Sequence, residues 1–210
     1  MARPRSPTHD DQREQILAAA AQLFATRGYS ATTMNDVGAA CGIGKATLYH
    51  YVRDKHELLA QITAGHVARL EQQAQAVLAL GMAPEARLRE LITRFMREYA
   101  SAEHRHRVLT EDVKFLADGE REAVLAAERR VVAAFAETIA ALRPELHAER
   151  LAKPLAMLLF GMINWTFTWL KAGGTLTHEA LAPVVIDLFL GGLGAVQPRA
   201  SSRPRVAATT

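Results

Sequence analysis

A single cysteine, Cys41, stands in this 210-residue chain, and that scarcity excludes an intrachain disulfide and suits a reducing compartment. Cys41 falls on the apolar face of a short helix, which marks it as a core residue rather than a redox switch. No segment alternates apolar and polar residues with a period of two, so a β-sandwich or β-barrel is excluded and an all-α fold is expected. The chain lacks a G-x-S-x-G elbow, a phosphate-binding glycine loop and a Cys/His set at zinc spacing. One E-x-x-H, residues 103–106, is spelled once only. A carboxylate di-iron bundle needs a second copy and further inward glutamates, so neither an enzyme nor a metal site is expected. Arginines and prolines open the chain with no apolar run behind them, so no secretory signal is read and a cytoplasmic location is expected. One-sided charge is also lacking. The net +3 is matched by Arg199, Arg203 and Arg205 in a tail free of acids. Within residues 1–55, seven basic side chains face five acidic ones. Placement of charge therefore says more than its sum.

What is present is concentrated in residues 33–55, TMNDVGAACGIGKATLYHYVRDK. Met34, Val37 and Ala40 or Cys41 share one apolar face of a first short helix, with Thr33 as its N-cap. Gly42 ends that helix, since glycine takes the left-handed conformation past a C-terminus. A second helix is expected from about residue 44 to 52, its apolar stripe being Ile43, Leu48 and Val52. The opposite face carries Lys45, Thr47, Tyr49 and His50, all hydrogen-bond donors. A helix-turn-helix lays such a second helix in the major groove. An ordinary helical hairpin with a solvated polar face is the competing reading.

The stretch LFATRGYSATTM (residues 23–34) followed by GIGKATLYHYVRDKHELL (residues 42–59) resembles the N-terminal domain of TetR-family transcriptional repressors. Phe24, Gly28-Tyr29, Thr32-Thr33, the turn at 42–45, Tyr49, Tyr51 and Lys55 carry the likeness. The resemblance implies a homodimeric repressor on double-stranded DNA. Thr33, Gly44, Lys45, Ala46, Thr47, Tyr49, His50 and Lys55 are the expected DNA-contacting residues. Lys45 and His50 are placed for bases or phosphates, Thr47 and Tyr49 for the backbone. The family often has serine where Gly44 stands; glycine supplies no hydroxyl for a phosphate.

Helical periodicity divides the chain into about nine helices. After the first three they run over about 54–80, 84–100, 106–117, 120–142, 148–171 and 177–193. A DNA-binding domain over 10–55 and a ligand-binding and dimerisation domain over 56–196 are expected. Residues 1–9 and 197–210 read as disordered tails rich in Pro, Ser, Arg, Ala and Thr. The last two helices are apolar nearly all round: residues 154–170 carry no charge and residues 180–196 carry only Asp187. Such helices must be covered on both sides. A bilayer is the poorer cover, because Asn164, Thr166, Thr168, Pro183 and Asp187 suit lipid badly. A second copy of the chain is the better one, with Leu155, Leu159, Ile163, Phe167, Val185, Leu188 and Phe189 at the interface. A twofold axis sets two recognition helices on successive major grooves, about 34–36 Å apart.

The larger domain is expected to hold a small-molecule effector and no cofactor. Candidates for its pocket are Phe95, Met96, Tyr99, Phe115, Leu116, Phe135, Met157, Phe160, Asn164, Trp165 and Trp169, apolar walls with a few polar groups. Arg94, Arg97, the run HRHR (residues 104–107) and Lys114 form a basic cluster able to receive phosphates. The motif GMINW (residues 161–165), with Trp169 four residues on, is similar to acyl-CoA-responsive TetR-like regulators. That likeness implies an acyl or aryl group in the pocket and a coenzyme A nucleotide at the basic mouth. His56, His66, His147 and His178 read as surface or satisfied residues.

Overall fold

A computed structural model describes residues 7–148, 150–170 and 174–197. Among these residues all regular structure is helical: α1 (Pro7–Arg27), α2 (Met34–Ala40), α3 (Lys45–Tyr51), α4 (Lys55–Leu78), α5 (Pro84–Ser101), α6 (Glu103–Asp112), α7 (Asp118–Leu142), α8 (Pro144–Ala148), α9 (Ala152–Asn164) and α10 (His178–Ala195). Two 3₁₀ turns, Val113–Phe115 and Trp165–Thr168, follow α6 and α9.

Local chemistry accounts for most boundaries. Thr33 and Asp36 close a capping box at α2. The Asp54 carboxylate accepts the Glu57 N–H at 2.8 Å at the start of α4, and Thr177 accepts from Ala180 at 3.2 Å at the start of α10. Pro84 opens α5, where its missing N–H costs nothing.

Three expectations are corrected. The helix foreseen over 148–171 is two: Pro144 begins the five-residue α8, the chain reverses at Arg150, and α9 starts at Ala152. Pro154 lies in the first turn of α9, where proline is tolerated. Beyond Asn164 the helix tightens, with the Thr166 and Thr168 hydroxyls donating to the carbonyls of Ile163 and Trp165 at 2.7 Å each. The helix foreseen from 120 starts two residues earlier, at Asp118, with Gly119 in its first turn. The expected N-terminal tail is shorter, because α1 already begins at Pro7. The rest of both tails, and the end of that foreseen helix at 171, lie outside the described residues.

The core is built on α4 and α7. Buried Leu58, Leu59 and Ile62 serve the N-terminal helices, while Val67, Leu70, Ala74 and Val77 belong to the larger bundle. Helix α4 thus runs through both parts, and α1 also packs on α6. In the centre Phe95, Phe135 and Phe160 meet edge to face, with centroids 4.9 Å apart for Phe95–Phe135 and 4.7 Å for Phe135–Phe160. Each fully buried aromatic side chain of this kind stabilises the fold by about 1.5–3 kcal/mol. Arg143 ties down the C-terminus of α10, donating to the carbonyls of Leu193 and Val196.

Candidate DNA interface and effector pocket

Helices α2 and α3 meet in a close turn. Gly42 has φ +66°, the left-handed conformation expected of it. At Gly38 a Cβ would lie 3.1 Å from the Ile43 carbonyl oxygen, so a side chain there would require the turn to shift by a few tenths of an ångström. Leu48 and Val52 are buried, which fixes the rotation of α3. Of the two alternatives for α2, Cys41 is half-buried and Ala40 exposed; burial pushes the Cys41 thiol up.

That rotation leaves Gly44, Lys45, Ala46, Thr47, Tyr49 and His50 exposed on one surface. The Lys45 ammonium lies 5.9 Å from the Tyr49 ring centroid. Gly44 caps α3 without any side-chain hydrogen bond.

Two expected contacts have other employment. The Lys55 ammonium donates to the carbonyls of Tyr29 (2.8 Å), Ser30 (3.3 Å) and Thr32 (2.9 Å), which uses all three of its donors. Lys55 is therefore a strut holding the α1–α2 loop, not a free phosphate donor. The Thr33 hydroxyl spends its one proton on the Asp36 carboxylate at 2.5 Å. That bond and the Thr33 N–H hold Asp36 below the usual carboxylate range.

A cavity of about 150 Å³ lies between α4, α5, α6, α7 and α9. Val67, Leu70, Leu109, Val131, Val132, Met157 and Phe160 make its apolar walls; Tyr99, His106, Thr110, Glu128 and Asn164 are its polar groups. The Tyr99 hydroxyl donates to Asn164 Oδ1 at 2.7 Å, and the Tyr99 ring stacks on His106 at 3.7 Å between centroids. Behind it, His66 Nε2 is 3.4 Å from His106 Nδ1. His66 Nδ1 and His106 Nε2 are buried without a protein partner. Burial pushes His66 down to about 4 and His106 to about 3, so both rings are neutral near pH 7. The His106 ring lines the cavity, while its Nε2 is itself closed off and stands without a protein partner. Burial also raises the Glu128 carboxyl above its ordinary range.

Of the expected pocket residues, Tyr99, Met157, Phe160 and Asn164 line the cavity. Phe95, Met96 and Phe135 are wholly buried core, and Leu116 is buried away from it. Phe115 stacks instead on Tyr29, 5.1 Å away, at the junction with the N-terminal helices. Trp165 and Trp169 are more than half exposed. The basic cluster is dispersed: Arg94 pairs with Glu90 and Arg107 with Glu111, Arg105 pairs with Glu14, and Arg97 points to solvent. His106, from the same run, turns into the core. His66 was read as a surface or satisfied residue and is neither. Its one sequence signal is a polar side chain on the stripe Leu59, Ile62, His66 and Leu70.

Comparison with known proteins gives these sites their context. Residues 16–62 match the model of bacterial regulatory proteins of the tetR family, and residues 81–193 match the tetracyclin repressor-like C-terminal domain. The second match alone covers more than half of the chain.

The chain belongs to the TetR family.

The HTH-type transcriptional repressor KstR2 of Mycolicibacterium smegmatis is 27% identical over 202 residues, 90% of this chain and 95% of its own length. A TetR-family transcriptional regulator from Bordetella parapertussis superposes with TM-score 0.81 and 35% identity, over 89% of this chain and 98% of that one. AibR, solved in complex with isovaleryl coenzyme A and operator DNA, shares the fold at TM-score 0.71 and 24% identity, over 84% of this chain and 97% of its own. This TetR-family protein is a transcriptional regulator and not an enzyme. Among the described residues no group of three or more His, Cys, Asp and Glu is arranged to hold a metal.

In this TetR-family chain the expected interface residues need correction by face. Leu155, Leu159, Ile163, Val185 and Phe189 are buried in the subunit's own core. Phe167 is half-buried beneath the Arg107 guanidinium, 5.7 Å from its ring. Only Leu188 of that set is exposed. The large apolar side chains on and between α9 and α10 that stand more than half exposed are Met157, Leu158, Trp165, Trp169, Val184 and Leu188. A shallow apolar groove runs beside them between Leu158, Met162, Leu188 and Val196. Helix α10 is long and apolar enough to cross a membrane by length and composition, but its inner face packs on α5.

Proposed function

We propose that the protein is a homodimeric repressor of a palindromic operator, released by a small acyl or aryl coenzyme A thioester. DNA recognition rests on Lys45, Ala46, Thr47, Tyr49 and His50, with the backbone at Gly44 close to phosphate. The outward face of α9 and α10 joins two subunits and so sets the spacing of the two recognition helices. The protein acts in the cytoplasm, where its operator lies. Domain limits near 10–55 and 56–196 follow, with α4 as the shared rigid element.

The observation that carries the effector reading is the cavity itself, with apolar walls and the polar side chains of Tyr99, Asn164 and Glu128 in its lining. A cavity of about 150 Å³ with mainly apolar walls has the size that accepts benzene, which fits a phenylacetyl or short branched acyl group. Met157 at the rim admits the chain. AibR, of the same fold, is a precedent for a regulator holding a short acyl-CoA and DNA.

Fluorescence anisotropy with DNA from upstream of the protein's own coding sequence tests this, titrated with phenylacetyl-CoA and isovaleryl-CoA. Salt-sensitive binding that one thioester releases is the expected result. Binding that neither thioester releases removes the effector from the reading and keeps the repressor.

A further inference from the structure

A second depression adjoins the cavity. It is an open groove of about 880 Å³ between α7, α8 and the start of α9. Val132 lines both, and Met157 of the cavity is one helical turn beyond Lys153 of the groove, about 6 Å along the axis. Ala133, Ala136 and Ala140 keep the α7 side of the groove low, and the two spaces lie side by side along α7 and α9. The cavity carries a single acidic group, Glu128. Among the described residues the groove instead carries Arg129, Arg150 and Lys153, with His147 beside them, against Glu137. Arg129 is held only by an exposed pair with Glu122, which an incoming anion can replace.

Arg150 is the unusual member. Its φ is +58°, the left-handed region that favours glycine, at the reversal after α8. There its N–H donates to the His147 carbonyl at 2.9 Å, and the next N–H, from Leu151, reaches the Leu146 carbonyl at 2.9 Å. Glycine would close this turn at lower conformational cost. A side chain kept in a strained position beside a basic groove points to a task for that side chain.

We infer that this groove is the phosphate subsite of the effector. Arg150, Lys153 and Arg129 receive the phosphorylated nucleotide end of the coenzyme A thioester whose acyl end fills the cavity. The inference rests on the thioester reading above, and it moves the anion site from the Arg94–Arg107 cluster to the α7–α9 seam. A guanidinium suits phosphate through paired N–H donors, and the exposed groove keeps the nucleotide in solvent while the acyl group is enclosed.

Calorimetric titration of the full chain with phenylacetyl-CoA, phenylacetyl-pantetheine and free coenzyme A decides it. Wild type should prefer the coenzyme A thioester over the phosphate-free pantetheine thioester by about ten-fold or more. The double variant Arg150→Gly/Lys153→Ala should lose that preference and keep its affinity for the pantetheine thioester. Arg150→Gly should also raise the melting temperature, which excludes misfolding as the cause. Equal wild-type affinity for both thioesters, or a preference that survives the double variant, overturns the groove while leaving the acyl cavity intact. If neither thioester binds, the acyl reading fails, and free coenzyme A then judges the groove alone. Coenzyme A binding lost in the double variant supports it, and no binding overturns it.

Discussion

Lys55 and Tyr29 lock the helix-turn-helix from behind: the ammonium donates to the Tyr29 carbonyl at 2.8 Å and sits 4.5 Å from its ring centroid. The same ring stacks on Phe115, so one aromatic side chain joins the start of α4, the α1–α2 loop and the turn after α6. A lysine of this kind acts on DNA only through the shape of the domain. Lys55→Met should therefore lower stability by about 1–3 kcal/mol, because three charge-assisted bonds to carbonyls are lost. The salt dependence of operator binding should stay that of wild type. Lys45→Ala should do the opposite, keeping the melting temperature and weakening binding by about 1–3 kcal/mol if Lys45 reads a base. If Lys45 meets a phosphate, the slope of log K against log salt should fall by about one unit. A Lys55 variant that melts like wild type and loses salt slope would return that residue to the DNA face.

Gly44 has φ −70° and ψ 158°, which serine adopts freely, and a Cβ there meets no atom within 4 Å. Gly44→Ser should accordingly fold without strain and add the missing N-cap hydroxyl to α3. The gain in stability is a few tenths of a kcal/mol, since glycine is already a fair cap. The informative readout is the operator affinity, expected to rise through one additional phosphate contact. Unchanged affinity, with the small thermal gain present, would mean that the hydroxyl faces the cap alone.

The buried histidine pair makes stability depend on pH in a predictable window. Both rings resist protonation in the folded chain, while the unfolded chain takes up protons at pH 6.5 and below. The unfolded state therefore binds more protons, and stability falls as the pH drops from 6.5 towards about 4 for His66 and about 3 for His106. The full loss for His66 is about 3 kcal/mol. Glu128, raised by burial, works in the opposite sense, so the comparison must be with a variant rather than with an absolute curve. Urea denaturation from pH 7.5 to 4.5 should show a shallower loss in His66→Gln/His106→Asn than in wild type. Parallel curves would show that the pair is hydrated and titrates normally.

Those histidines also mark the boundary of what the sequence reveals. The capping box at Thr33, the left-handed Gly42 and the buried Leu48 are local devices, so the rotation of α3 and its exposed face are readable from a few residues. Lys55 is not, because its partners lie about twenty-five positions earlier in the chain. Arg150 gives no signal at all, for nothing in its identity announces a conformation that belongs to glycine. In α9 and α10 the difficulty is different. Both faces of these helices are apolar, so helical periodicity cannot tell the face that packs inward from the one left for a partner. The distinction comes only from the neighbours α5 and α7, on which α10 and α9 pack: Leu159, Ile163 and Val185 face inward, while Leu155 and Phe189 reach the floor of the groove beside Leu188.

That distinction has a direct consequence for assembly. Leu188 and Leu159 are both leucines of the apolar pair of helices, but Leu188 is 64% exposed and Leu159 is wholly buried. Leu188→Glu should leave the subunit folded, since its side chain already faces solvent. In the dimer proposed above it would bury a carboxylate without a partner, so light scattering should report about half the wild-type mass. Operator affinity should collapse with it, because each subunit alone holds one half-site. Leu159→Ala should behave in the reverse manner, costing about 2–5 kcal/mol of stability through a cavity in the subunit core and leaving the mass unchanged below its melting temperature. Trp165, exposed with Leu188, should show a red-shifted emission in the Leu188→Glu protein as its cover is removed. A Leu188→Glu protein of full mass would move the interface off α10 altogether.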